Sequence, residues 1–494
     1  MFYKQKFPLN TKSNLKIQLS DFSKGINTKI TQNLLPLNYA VNCYNFDFNK
    51  RSLSTGLGIK ELSIPYNETG TKSFVSSDTV HQIYKFWQYT RYDKSTDSYV
   101  PLLIMYCDDD NLYYVRLKTD QVSFNAIGAT FFGVPNGINY RTDDGDCFFA
   151  CGEGKIVKYC GALPAVYDEN VPRITSVALH AGRLFATVDG DQNVIWFSDD
   201  LNPTNWNVSK FEGGYIELTG ERGVCKKVIE ANNQLYIIRE YGISRISGWG
   251  LQDDFAVKNM YLTTGKLYYE TARLCGQIII MLCSDGLYYF DGGTMNKINL
   301  GIEEMFVGVD NSKACGVFLD GKYYLACKLN YPDSEQIGCE SSTYSNNTLI
   351  ELDINTFEIN ILRGADVIYM DGIKYNNYSK LGILLNCLHG NRLYELTHSG
   401  DINGVATRKY WCSPTTDMGY PNYKKSIKYL SVNSSSNATI IFYADGKKYC
   451  FDVKGDSVPS RIPINIICSK FSVAFSCNSK ECEISDPVLQ VSLV

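Results

Sequence analysis

"VALHAGRLFATVDGDQNVIWFSDDLNPTNW", residues 177–206, runs apolar, turn, apolar, turn, and ends on Ser198-Asp199, Pro203 and Trp206. No catalytic set stands out in it. Its apolar runs have the length of strands. Its turns carry Gly, Asn and Asp, the residues that tolerate the positive φ of tight hairpins. The stretch reads as a building unit.

Units of the same kind recur along the chain. "LLIMYCDDDNLYYVRL" (102–117), "DCFFACGEGKIVKYCG" (146–161), "KKVIEANNQLYIIREYGISRISG" (226–248), "GQIIIMLCSDGLYYFDGG" (276–293), "CGVFLDGKYYLACKLN" (315–330), "NTLIELDINTFEINIL" (347–362) and "LGILLNCLHGNRLYELTHSG" (381–400) each divide apolar runs at a polar turn. Hairpins start every ~30 to 70 residues, mostly in the forties, the period of a four-stranded propeller blade. Helical periodicity is scarce; "GIEEMFVGV" (301–309) is one short case. The fold expected is mainly β: a β-propeller of about six or seven blades over 76–405, with Trp196, Trp206 and Trp249 between blades. A solenoid or a pair of sandwiches would give a similar pattern. Residues 331–346 read as a surface insertion. Residues 406–494 alternate and turn every ~8–12 residues, which predicts a C-terminal antiparallel β-sandwich. Residues 1–75 are left as an N-terminal arm with the first strands, poor in core residues and suited to clamp a neighbour.

Composition agrees with a folded, sheet-rich chain. Of 494 residues, 44% are hydrophobic and 20% charged, and Tyr and Phe number 36 and 24. A net charge of −4 argues against a broad grip on nucleic acid, which needs an excess of Lys and Arg. The N-terminus lacks a signal-peptide core and no run approaches ~18 apolar residues, so the expectation is synthesis and retention in a cytoplasm. There the 17 cysteines would be reduced thiols. Cys107, Cys283, Cys327 and Cys387 lie in apolar runs. The closest pairs, Cys147/Cys151 and Cys477/Cys482, lack the spacing of a zinc site.

The N-terminal "LSDFSKGINTKITQNLLPLNYAVNCYNFDFNKRSLSTGLGIKEL" has Gly25-Ile26, then Leu34-Leu35-Pro36, Ala40, Asn42, Asn45 and a turn through Leu53 and Gly56. Together with His180, Arg183, Trp196, Ser198, Asp199 and Trp206 of the first unit, this resembles the tailed-bacteriophage tail nozzle and tail hub family (tail tubular protein B-like and packaged-DNA-stabilisation proteins). The chain departs from that pattern in Lys24-Gly25-Ile26 for Gly-Gly-Ile and in lacking a basic residue after the Leu53 turn. The resemblance implies a structural virion protein and no enzyme. It implies a homo-oligomeric ring, hexameric by preference, that retains and then conducts the genome. Its partners would be portal, adaptor and other tail proteins, with tail fibres as a further candidate. Genomic DNA would pass through the lumen without sequence-specific binding. The place implied is the virion tail, with the host cytoplasm during assembly.

Ser284-Asp285-Gly286 and Thr142-Asp143-Asp144-Gly145 read as hairpin turns, not sialidase motifs. His389 and His398 bracket a hairpin without a third ligand. Asp108-Asp109-Asp110 suits a solvated turn better than a calcium loop. Lys424-Lys425 reads as a solvated strand entrance. The expectation is no catalytic, cofactor or metal residue. Two other readings stay open. One is a carbohydrate-binding or glycosidase propeller at a tail tip, stacking sugars on Tyr113-Tyr114, Tyr288-Tyr289 or Tyr323-Tyr324. The other is a cytoplasmic scaffold that docks peptides.

Overall fold

The computed structural model describes residues 14–19, 21–48, 50–65, 71–73, 81–93, 95–117, 123–248, 252–332, 343–375, 378–386, 392–456 and 458–494. Trp249, His389 and most of the 331–346 insertion lie outside them. Among the described residues there is no α-helix. The 301–309 segment makes only a 3-10 turn, Glu303–Phe306, with Met305 and Phe306 buried.

Seven antiparallel sheets follow one another along the chain. The first comprises Ile83–Asp93, Ser98–Cys107, Asn111–Arg116 and Asn125–Thr130. The second to sixth open at Asn136–Thr142, Ile174–His180, Cys225–Ala231, Leu267–Cys275 and Cys315–Leu319, each with four strands in chain order. The seventh has six strands, in the order Val367–Tyr375, Tyr378–Leu385, Tyr394–Thr397, Gly58–Glu61, Asp401–Ile402 and Val405–Ala406, so a strand from the N-terminal region lies inside it. The eight units read from the sequence fall in these seven sheets, 315–330 and 347–362 sharing the sixth. Their turns take the conformation the residue types demand: Ala181 and Gly182 both have positive φ, as do Asn232 and Asn233, the geometry that matches the twist of paired strands.

No hydrogen-bonded ladder joins one sheet to the next; the sheets meet face to face. Their opening strands touch in chain order from Asn136–Thr142 to Val367–Tyr375, and Ile83–Asp93 touches Val367–Tyr375 and, in the second sheet, Gly145–Gly152. Strand Ile278–Cys283 shows the cause in its sequence. Ile279, Met281 and Cys283 pack against the fourth sheet, and Ile280 and Leu282 against the sixth. Side chains alternate across a strand, so a sheet buried on both sides needs an unbroken apolar run. The arrangement is consistent with a β-propeller.

Apart from two short ladders, Phe46–Asp47 with Ser54–Thr55 and Ser63–Pro65 with Thr71–Ser73, the remaining strands form two sheets facing one another. One orders Asn14–Gln18, Ile484–Leu493, Lys425–Ser434 and Ser460–Cys468. The other orders Asn42–Tyr44, Lys409–Cys412, Phe471–Cys477, Ala438–Ala444 and Lys447–Val453. Phe22 lies between them, edge-on to Trp411 at 4.9 Å. Residues 14–61 are therefore not a free arm. They supply two strands to the C-terminal sandwich and one to the seventh sheet, and Leu19, Phe22, Ala40, Tyr44, Phe46 and Leu53 are core. Their apolar positions are spread over strands of two to five residues, too short to register as runs in the sequence. Deleting 1–45 would remove two sandwich strands, so a folded monomer is not the expected product.

One cysteine reading is also overturned. Cys147 is bonded to Cys160, not left as a thiol beside Cys151. The register that sets Phe148 opposite Tyr159 brings Cys147 opposite Cys160, with Cα atoms 4.6 Å apart.

The borrowed strand gives a test. Ile59 is fully buried in the seventh sheet. Ile59→Ala should cost about 2–5 kcal/mol in urea unfolding and speed proteolysis within 367–402. Unchanged stability and cleavage would mean the strand is not held there.

Candidate functional site

The positions singled out in the sequence gather in two places. The first is the corner of the third sheet. His180 and Arg183 flank the Ala181-Gly182 turn as a cross-strand pair. Arg183 is buried and its Nη1 donates to the carbonyls of Ser198 and Glu212, both at 2.9 Å, with Asp199 Oδ1 at 4.0 Å. The Ser198 hydroxyl accepts the Leu184 N–H at 3.0 Å and donates to Asp199 O. Trp206 is fully buried, donates to Pro203 O at 3.0 Å, and packs against Tyr140 and Phe149 of the second sheet. Trp196 is half-buried at the edge of that cluster and tilts against Tyr215. Burial lowers the His180 pKa, so its ring favours the neutral form. These groups knit a corner, and Trp196 and Trp206 also line a cleft of about 590 Å3 with Arg173, Asp189 and Asp191.

The second place is the joint between the sandwich and the fifth and sixth sheets. Asn45, with φ of 62°, is fully buried. Asparagine adopts this left-handed conformation more readily than other side-chain-bearing residues. Its Nδ2 donates to Arg408 O at 2.8 Å and Arg363 O at 3.2 Å, while its Oδ1 accepts the Arg363 N–H at 2.7 Å. One amide thus ties the sixth sheet to the entrance of the sandwich. Gly56 donates its N–H to Asn45 O, and a Cβ there would stand 2.6 Å from that oxygen. Asn42 sits in the neighbouring sandwich strand. Gly25 and Ile26 pair with Ala40, and the next residues reach the fifth sheet, where Thr28 N–H and hydroxyl both bond Gly301 O. Beside Asn45, the Arg363 guanidinium lies over Tyr331 at 3.8 Å and Tyr44 at 4.8 Å.

A third cluster escaped the sequence reading. The opening strands turn Lys85, Asn136, Ser176, Lys227, Glu270, Arg273 and Asp371 into a throat of about 350 Å3. Lys227 Nζ is 3.6 Å from Glu270 Oε2. Lys85 donates to Asn136 Oδ1 at 3.4 Å and lies over the Trp87 and Tyr369 rings. Burial, with Arg273 adding repulsion, pulls Lys227 down to about 7. Burial pushes Glu270 upward, but Lys227, Arg273 and Lys85 outweigh it and hold the carboxyl at about 2. Burial raises Asp371. Three cations thus face two carboxylates, one of them reluctant to ionise. The residues come one or two per sheet from sequence positions far apart, so no local motif announces them.

The other sequence candidates are spent locally. Asp109 accepts from Tyr113 and Asn111, and with Asp108 lies 3.4–3.7 Å from His81 Nδ1. Three donors so placed could hold a divalent cation, but the turn also satisfies itself. Asp285 accepts from Tyr288 and Lys297. Lys425 is not a solvated entrance: it is fully buried and donates to the carbonyls of Tyr420, Tyr423 and Ser469. Tyr323 and Tyr324 are buried, and Tyr323 donates to Thr271 O. They offer no face to a sugar.

No family model matches this chain, and no curated protein does. Among solved structures, the crystal structure of BBS1N in complex with ARL6DN, soaked with lead, matches at 9% identity and a TM-score of 0.43, covering 68% of this chain and 96% of that one.

Two outcomes follow from this geometry. Asn45→Ala leaves the buried Arg363 N–H without its acceptor and should cost about 2–4 kcal/mol in urea unfolding; a change below about 0.5 kcal/mol would remove the joint's central role. In the throat, Glu270 is held below its usual 4.5, so it adds stability above that pH and loses it as pH falls towards 2. Lys227, held below 10.5, costs stability at and below about 7, and that cost fades as pH rises to 10.5. Glu270→Gln should therefore destabilise by about 1 kcal/mol at pH 7, a figure discounted for water in the throat. Lys227→Met should be neutral or stabilising and flatten the profile above pH 7. Thermal melts across pH read both; the opposite order refutes the cation excess.

Proposed function

We propose that the seven sheets are the blades of one closed propeller and that the chain is a structural subunit of a phage tail nozzle or hub. In this reading several copies, six by preference, form a ring around the DNA path. The observation that carries it is where the family-like residues lie. Gly25, Ile26, Asn42, Asn45 and Gly56 meet at one joint that fixes sandwich against sheets. The 180–206 set fixes a blade corner. A two-part body without slack is what a ring segment needs, because small errors in wedge angle add up around a closed assembly.

The throat supports a lumen between copies. It leaves about 350 Å3 and is crossed by Lys227 and Glu270. A duplex whose major groove alone is about 12 Å wide needs another route. With a net charge of −4, the chain lacks the cation excess that would hold the sliding phosphates. The glycan reading loses the buried Tyr323-Tyr324 pair as a stacking platform.

Light scattering of the purified chain with negative-stain images should show rings with a lumen wide enough for duplex DNA. DNA affinity should be weak and non-specific at physiological salt. A monomer at all concentrations, or release of sugar from a glycan panel, overturns the assignment.

A further inference from the structure

Three basic side chains from three different sheets line the throat between the opening strands. Lys85 belongs to the first sheet, Lys227 to the fourth and Arg273 to the fifth, and all three are partly exposed around a cavity of about 350 Å3. Lys227 has an acid beside it, Glu270 Oε2 at 3.6 Å. The other two do not. Lys85 Nζ makes long contacts with uncharged oxygens, Asn136 Oδ1 at 3.4 Å and Pro135 O at 3.5 Å. Arg273 Nη1 donates to the adjacent Ala272 O at 3.0 Å. Among the described residues, no carboxylate comes within ion-pair distance of Lys85 or Arg273.

The second acid of the throat, Asp371, is held by its own strand. Its Oδ1 accepts the Gly372 N–H at 2.8 Å and its Oδ2 the Tyr369 hydroxyl at 3.3 Å, both uncharged donors. Charges withdrawn from water are stable when paired, and here two cations have no paired acid. Burial, then repulsion from Arg273, pulls Lys227 down to about 7; an anion among the three groups relieves that repulsion.

The directions of approach select the anion. A carboxylate offers two coplanar oxygens, whereas a phosphate offers oxygens to groups arriving from several sides. A guanidinium fork takes two phosphate oxygens at once, and ammonium groups take others as point charges. The Ser176 hydroxyl in the same lining accepts the Val228 N–H at 3.3 Å and keeps its own proton to donate. We propose that the throat is a binding site for a small phosphate, free or as the monoester of a small alcohol, held by Arg273, Lys227 and Lys85. A ligand there ties the first, fourth and fifth sheets together through the middle of the opening strands. The proposal does not depend on ring assembly.

Calorimetry on the full chain, at neutral pH and low ionic strength in a chloride buffer, tests it with inorganic phosphate as the probe. One saturable site per chain is expected, and phosphate should raise the melting temperature. Glycerol phosphate separates the two sources: equal or tighter binding assigns the ester, weaker binding the free ion. Lys227→Met and Arg273→Met should each weaken binding about tenfold or more. Glu270→Gln removes a like charge and should tighten binding about threefold or more. Lys424→Met, at an exposed lysine beside the sandwich, should leave it unchanged. Melts of each variant without phosphate separate lost binding from lost structure, and Lys227→Met is the variant expected to keep its fold. No saturation up to about 10 mM phosphate, an equal loss in Lys424→Met, or weaker binding in a folded Glu270→Gln overturns the site.

Discussion

A sheet that is apolar on both faces cannot remain in water, and the architecture answers that constraint. Each of the seven sheets gives one face to the sheet before it and one to the sheet after it, in separate but adjoining clusters. Between the fifth and sixth sheets the cluster continues into the sandwich. Burial of apolar surface at about 25 cal/mol per Å2 therefore acts between sheets, while the backbone ladders run only within them. The contacts between opening strands follow from this, and so does the need for a seventh sheet complete enough to cover its neighbours. The chain completes it with a strand from its other end.

That borrowed strand makes the chain ends interdependent. Residues 14–61 pass from the sandwich to the joint to the seventh sheet, so the sandwich is built from both ends of the chain while the strands of the seven sheets, 58–406, lie between them. Asn45 stands at the crossing, and its amide is satisfied by backbone from residues more than three hundred positions away. Buried polar groups are stable only when paired. Such a node commits the two modules to one relative position, and Gly56 and Gly301 allow the close backbone approach that the node requires. Rigidity of this kind suits a part that transmits load better than one that opens and closes around a substrate.

Charge is used in the same economical way. Lys425 and Lys409 are buried as plugs for backbone carbonyls, and Arg183 caps a blade corner. In the throat three basic side chains face two acids, and burial holds Lys227 at about 7.

The sequence by itself determined what neighbours in the chain can decide. Positive-φ pairs such as Ala181-Gly182 and Asn232-Asn233 set the hairpins, and unbroken runs such as 278–283 announced sheets covered on both sides. Only the tertiary structure decided that 58–61 pairs with 394–397, that Cys147 finds Cys160, that Lys425 is buried and that the throat collects its charges. Turns depend on the conformational preferences of two or three residues. Long-range pairing depends on which edge remains open after the rest has packed, and a short strand carries no local mark of its partner.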